Sequence, residues 1–134
     1  MIGIITLAIA ASSTMFDLNC SGTVTTQTAF EEKTEPYNYV YVLDLESKKW
    51  CYYDCGLKKD ILAVTDRGFI LENEQIDTLH EYRFNSNMIN RIDGSHTILS
   101  SDRSSGILMK WVGHCTKQPF TGFSSKSPPD KAKF

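Results

Sequence analysis

The stretch YVYVLDLESKKWCYYDC, residues 39–55, decides the fold class. Its first half has a period of two. Tyr39, Tyr41, Leu43 and Leu45 share one face of an extended chain, and Val40, Val42 and Asp44 share the other. Alternation in aromatic and β-branched residues predicts a strand over 39–47. Ser47-Lys48-Lys49 reads as a tight turn into a second strand over 50–54. Pairing of the two runs sets Tyr39 and Tyr41 beside Trp50 and Tyr52, giving an aromatic face. The same stretch holds Cys51 and Cys55, four residues apart, so it also raises the question of a redox or metal site.

Strand signals continue on both sides. Upstream, FDLNCSGTVTTQTAF (16–30) is rich in threonine and aromatic residues, which suits a strand. EEKTEPYN (31–38) is polar and carries Pro36, so a loop is expected there. Downstream, ILAVTDRGFILEN (61–73) predicts two short strands about Thr65-Asp66-Arg67-Gly68. QIDTLHEYRFN (75–85) is ambiguous: its first half suits a helical turn, and its second half alternates as a strand. MINRIDGSHTIL (88–99) is the strongest hairpin signal, with Asp93-Gly94 between two strand-like runs. SDRSSG (101–106) is a further turn, leading into ILMKWVGHC (107–115). No convincing amphipathic helix appears. About eight short strands with frequent turns predict an all-β antiparallel meander, closed as a barrel or stacked as a sandwich.

The 134 residues fit one domain. Hydrophobic residues make up 41% and charged residues 22%, a globular composition. The net charge of −2 is well mixed, which argues against a nucleic-acid footprint and its clustered basic face. The amino terminus opens with an apolar run, Ile2–Ala11, too short for a membrane span. With Ala8-Ile9-Ala10 as a cleavage-like site, residues 1–13 are expected to be a signal peptide or its remnant. No stable membrane insertion is expected after its removal. Residues 14–124 are then the β domain. Residues 125–134, with Pro128 and Pro129, are expected to be a flexible tail.

Four cysteines, Cys20, Cys51, Cys55 and Cys115, agree with export to the periplasm or beyond the cell. Three connectivities are possible, and Cys51–Cys55 with Cys20–Cys115 is favoured. The first pair closes a tight turn, and the second ties the start of the domain to its last strand.

The segments FDLNCSGT (16–23), YVLDLESKKWCYYDC (41–55), INRIDG (89–94) and GHCTKQPFTGF (113–123) together resemble a group of small exported proteins of sphingomonad-type alphaproteobacteria. The likeness runs from about Phe16 to Phe123, with the cysteines anchoring the register. It implies export and architecture, and it carries no catalytic residue to transfer.

The residues supply little that reads as catalysis. A redox pair wants C-x-x-C opening a helix, whereas Cys51 and Cys55 are spaced C-x3-C between strand and turn, with Asp54 alongside. Zinc wants a second close Cys or His pair, and His80, His96 and His114 lie in separate segments. A structural disulfide is therefore expected, with no metal. There is no G-x-S-x-G elbow, no phosphate-binding loop and no cofactor motif. The reading leans away from an enzyme, and no catalytic residue is assigned. A Ser–His–Asp constellation or a carboxylate pair drawn from Asp44, Glu46, Asp54 and Glu72 is the residual enzymatic alternative. Arg91 is expected to pair with a strand carboxylate such as Asp44, with anion binding as the alternative.

The candidate ligand-binding residues are Tyr39, Tyr41, Trp50, Tyr52 and Trp111. Flat apolar rings with a polar end suit small-molecule sites, and they also suit a β core. The expected function is a non-enzymatic exported module that binds a small apolar or aromatic ligand. The alternative is an interaction or inhibitor module for an envelope protein, and the third reading is a hydrolase.

Overall fold

Three hairpin turns begin on threonine, and each uses the same short-range chemistry. The hydroxyls of Thr28, Thr65 and Thr78 accept the backbone N–H groups of Glu31, Gly68 and Glu81 at 3.0–3.2 Å. A threonine that satisfies the backbone locally ends one strand and starts the next. The computed structural model describes residues 14–126, so the signal-peptide expectation over 1–13 and most of the tail lie outside the described residues.

The strands are β1 (Met15–Gln27), β2 (Glu32–Asp44), β3 (Lys49–Tyr52), β4 (Lys59–Asp60), β5 (Ala63–Val64), β6 (Gly68–Asp77), β7 (Tyr82–Asn90), β8 (Ser95–Asp102) and β9 (Ile107–Gln118). They form one antiparallel sheet in the order β4-β3-β2-β1-β9-β8-β7-β6-β5. The first strand pairs with the last, with Cys20 opposite Cys115. Two meanders, β1–β4 and β5–β9, are thereby joined into a single surface.

The two edges of that surface are neighbours in the chain. Ile61 donates its N–H to Lys48 O at 2.9 Å, extending the β3 side, and Leu62 donates to Ile70 O at 2.8 Å, extending the β6 side. Consecutive residues thus serve opposite edges, so the sheet curls on itself as a half-barrel. The core fills one end of the concave face with Phe16, Leu18, Leu43, Trp50, Ile61, Phe69, Leu71 and Ile89. On the convex face Val42, Cys51 and Cys55 pack under Phe120 and Phe123. Buried Asp17 holds that covering segment, accepting Thr121 N–H at 3.2 Å and Thr121 Oγ–H at 2.8 Å.

The all-β antiparallel expectation holds, with nine strands among the described residues, two of them only two residues long, and with both favoured disulfides. Three local expectations do not. Residues 32–38 are strand rather than loop, with Pro36 opposite Thr23. Proline fits because β3 covers only Tyr41–Asp44 of β2, leaving residues 32–40 on an outer edge. No helical turn forms in the first half of 75–85, where β6 runs on to Asp77 and turns through Thr78–Glu81; the second half is strand as expected, the start of β7. Arg91 does not pair with Asp44. It donates to Thr65 O at 2.8 Å and lies over the Phe69 ring, while Asp44 accepts from Glu46 and Ser47 N–H within its own turn.

Candidate functional site

The concave face is not apolar throughout. Beyond the core, the inward positions of β1 and β9 are Gly22 and Gly113, directly paired. A Cβ on Gly113 would overlap Ser21 O and the Tyr37 hydroxyl. The absent side chains leave room for large rings from neighbouring strands to lie across β1 and β9. Tyr37, Tyr39 and Tyr41 sit at alternate positions of β2, with Tyr37–Tyr39 ring centroids 5.1 Å apart.

At the centre sits His96, fully buried on β8. Its Nδ1 lies 2.7 Å from Tyr37 Oη; its Nε2 lies 3.0 Å from both Tyr41 Oη and Asn87 Oδ1. Asn87 Nδ2 donates to Tyr41 Oη at 3.1 Å. Because Asn87 Oδ1 only accepts, this arrangement assigns the proton to Nε2, and Nδ1 accepts from the Tyr37 hydroxyl. Burial holds the His96 imidazole down to about 4, so it is neutral at physiological pH. Burial also pushes the Tyr37 hydroxyl up to about 12, with Tyr39 adding to it, and raises Tyr41 well above the phenol range. The network is a neutral, hydrogen-bonded plug across the half-barrel.

His96 also lies against the Cys20–Cys115 disulfide, with the ligand atoms of all three residues within 4.8 Å of one another. The two sulfurs are bonded to each other, so they offer no thiolate to a metal. Cys51 and Cys55 are likewise bonded, across a turn in which Cys55 has a φ of 48° and donates its N–H to Tyr52 O. The C-x3-C spacing is a staple.

Above the plug, Tyr39, Tyr52 and Trp111 come together in an open cleft of about 220 Å³. Trp111 Nε1 donates to Tyr39 Oη at 3.0 Å, across β1. The Tyr39 and Tyr52 rings meet edge to face at 6.1 Å. Glu72, Asn85, Ser86, Ile98 and Ser100 complete the walls. Glu72 reaches this face because the β6–β7 register shifts between Ile70 and Glu72. Leu71 is the extra residue, which drops into the core and reverses the parity of the rest of β6. Burial and then the Glu72 carboxylate push the Tyr52 hydroxyl up to about 12. Among the described residues, the cleft therefore presents neutral hydroxyls, amides and one carboxylate beside three aromatic rings, and no histidine lines it.

The five aromatic residues singled out in the sequence are thus divided. Tyr39, Tyr52 and Trp111 line the cleft, while Tyr41 and Trp50 are fully buried beneath it. Tyr41 sits under the cleft as part of the plug, and Trp50 packs edge to face on it at 5.6 Å. Lys59, from β4, stands over the Trp50 and Tyr52 rings at 5.1 and 5.7 Å. Sequence reasoning weighed His96 only as a metal ligand and Glu72 only as a catalytic carboxylate, and it missed Asn87, Asn85 and Ser100. The parity of His96, Ile98 and Ser100 in one strand was available as a signal.

The two disulfides point to an oxidising, non-cytoplasmic compartment. Among the described residues no helix is long and apolar enough to cross a membrane. Comparison with protein-family models, curated proteins and solved structures finds no match.

Proposed function

We propose that the protein is an exported, non-enzymatic binding module that takes a small apolar or aromatic ligand in the Tyr39/Tyr52/Trp111 cleft. One observation carries this reading: three of the aromatic side chains converge on one open cleft above the buried, hydrogen-bonded network of Tyr37, Tyr41, Asn87 and His96. Preorganised rings with a few polar groups at the wall bind flat or apolar molecules with little loss of side-chain entropy. Export to the periplasm or beyond the cell is part of the same proposal, supported by the disulfides and by the resemblance to small exported proteins.

A panel of small aromatic and apolar compounds, monitored by two-dimensional NMR, tests the site. Hits are expected to move the Trp111 indole N–H and the amides of Tyr39, Tyr52 and Ser100. Tyr52→Ala should weaken them at least tenfold with little change in melting. A panel in which no compound maps to the cleft would refute it. Intact mass of the natively exported chain tests the compartment: a start near residues 11–16 with four hydrogens missing is expected, and retained Met1 with free thiols would refute it.

A second reading, an interaction module for an envelope protein, draws on the hairpin tips. Phe30 and Leu79 are 97% and 92% exposed, at the tips of the β1–β2 and β6–β7 hairpins. Exposed large apolar side chains at loop tips suit a protein surface. Phe30→Ser with Leu79→Ser would abolish capture of such a partner and leave ligand binding in the cleft intact.

A further inference from the structure

At the opposite end of the concave face, a second cavity of about 330 Å³ opens among Phe16, Leu18, Phe69 and Ile89. It shares no lining residue with the aromatic cleft, and the buried plug of Tyr41, His96 and Asn87 lies between them. Its apolar wall is deep: these four side chains are each less than a tenth exposed. Its charges are all of one sign. Among the described residues, Arg91 and Lys117 are the ionisable side chains in the lining, with no aspartate or glutamate.

Each cation is held by an aromatic ring rather than by a carboxylate. The Arg91 guanidinium sits 4.9 Å from the Phe69 centroid and the Lys117 ammonium 4.7 Å from the Phe16 centroid. Among the described residues neither makes a salt bridge; Arg91 donates one N–H to Thr65 O. The remaining donors of both are free to turn to an anion. The carboxylate nearest in sequence, Asp93, is committed to the Ser95 N–H at 2.8 Å. An apolar hollow with two uncompensated cations matches a molecule with a hydrocarbon body and an anionic end.

We propose that this cavity is a second binding site, for a single alkyl chain ending in a carboxylate. The chain lies against Phe16, Leu18, Phe69 and Ile89, and the head group meets Arg91 and Lys117. A water's share of liquid volume is about 30 Å³ and a methylene is of similar size, so the cavity takes a chain of roughly ten carbons. The site is independent of the aromatic cleft: its ligand differs in class, and its residues are different.

The test is titration of the full mature chain with decanoate, decan-1-ol and decyltrimethylammonium below their aggregation limits, read by calorimetry and methyl NMR. Decanoate is expected to bind at least tenfold more tightly than decanol, with shifts at the Leu18 and Ile89 methyls. Lys117→Gln should remove most of that preference while decanol affinity stays the same, and Arg91→Gln should add to the loss if it folds. Equal affinity for decanoate and decanol would overturn the proposal, as would stronger binding of the cationic chain or shifts confined to Trp111 and Tyr52. Sedimentation with anionic phospholipid vesicles separates the other source of this chemistry. Binding to vesicles without binding to monomeric decanoate would assign the two cations to a membrane surface and overturn the cavity site.

Discussion

Acid should weaken this protein well before its carboxylates are protonated, and His96 is the reason. In an unfolded chain a histidine takes up its proton near pH 6.5. In the folded protein burial holds His96 down to about 4. Above 6.5 the ring is neutral in both states and contributes no pH dependence. Between 6.5 and 4 the unfolded chain binds a proton that the folded chain refuses, so folding stability falls as pH falls. Below about 4 both states are protonated and the loss levels off. At about 1.4 kcal/mol for each pH unit of that gap, the full loss is about 3 kcal/mol, and about 2 kcal/mol of it is reached between pH 7 and pH 5. Asp93 and Asp102 have carboxyls held below the usual range by hydrogen bonds from Ser95 and Ser104, so their contribution is lost only at lower pH. Urea denaturation at pH 7, 6 and 5 therefore isolates the histidine. The wild type should lose about 2 kcal/mol over that window. His96→Gln, though less stable at pH 7, should be nearly flat. Equal slopes for the two proteins would refute the argument. Should the variant not fold, the carbon and nitrogen shifts of His96 in the wild type decide it: a neutral Nε2–H tautomer is expected at pH 5, and an imidazolium there would refute the assigned network.

The other perturbations are simpler. Cys20–Cys115 closes a separation of 95 residues and Cys51–Cys55 one of 4, so removing the first should cost about 5 kcal/mol and the second about 2; equal losses in urea would show that loop entropy does not govern these bridges. Gly113→Ala places a methyl against Ser21 O and the Tyr37 hydroxyl, and should cost about 1–3 kcal/mol while disturbing the His96 resonances; an unperturbed variant would mean the β1–β9 approach is looser than described. Asp17→Ala removes both hydrogen bonds that hold Thr121, and limited proteolysis should then cut the 119–123 segment first. Unchanged cleavage would show that Phe120 and Phe123 alone retain it.

Local chemistry made much of the fold legible. The period of two over 39–45 placed Tyr39, Tyr41 and Leu43 on one face, and the structure keeps them on the concave side, because alternation in a strand is a property of the backbone itself. The Asp93-Gly94 and Thr65–Gly68 turns carry their own hydrogen-bonding groups and needed no distant partner. The even cysteine count left three pairings, and the favoured one is the one the structure holds. Pro36 misled because its missing N–H matters only if a strand lies on that side, and which β2 residues β3 covers is not written locally.

The sequence by itself determined the all-β class, the Thr65–Gly68 and Asp93-Gly94 turns and the short Cys51–Cys55 staple, since each rests on contacts between residues close in the chain or on residue chemistry alone. Only the tertiary structure decided that the sheet curls until consecutive Ile61 and Leu62 serve opposite edges, and that first and last strands pair through Gly22 and Gly113. It alone divided five similar aromatic residues into a buried floor and an open cleft. It alone turned Glu72 inward, through one extra residue in β6. Those outcomes depend on register between segments tens of residues apart, and a one-residue change of register reverses which face a side chain occupies.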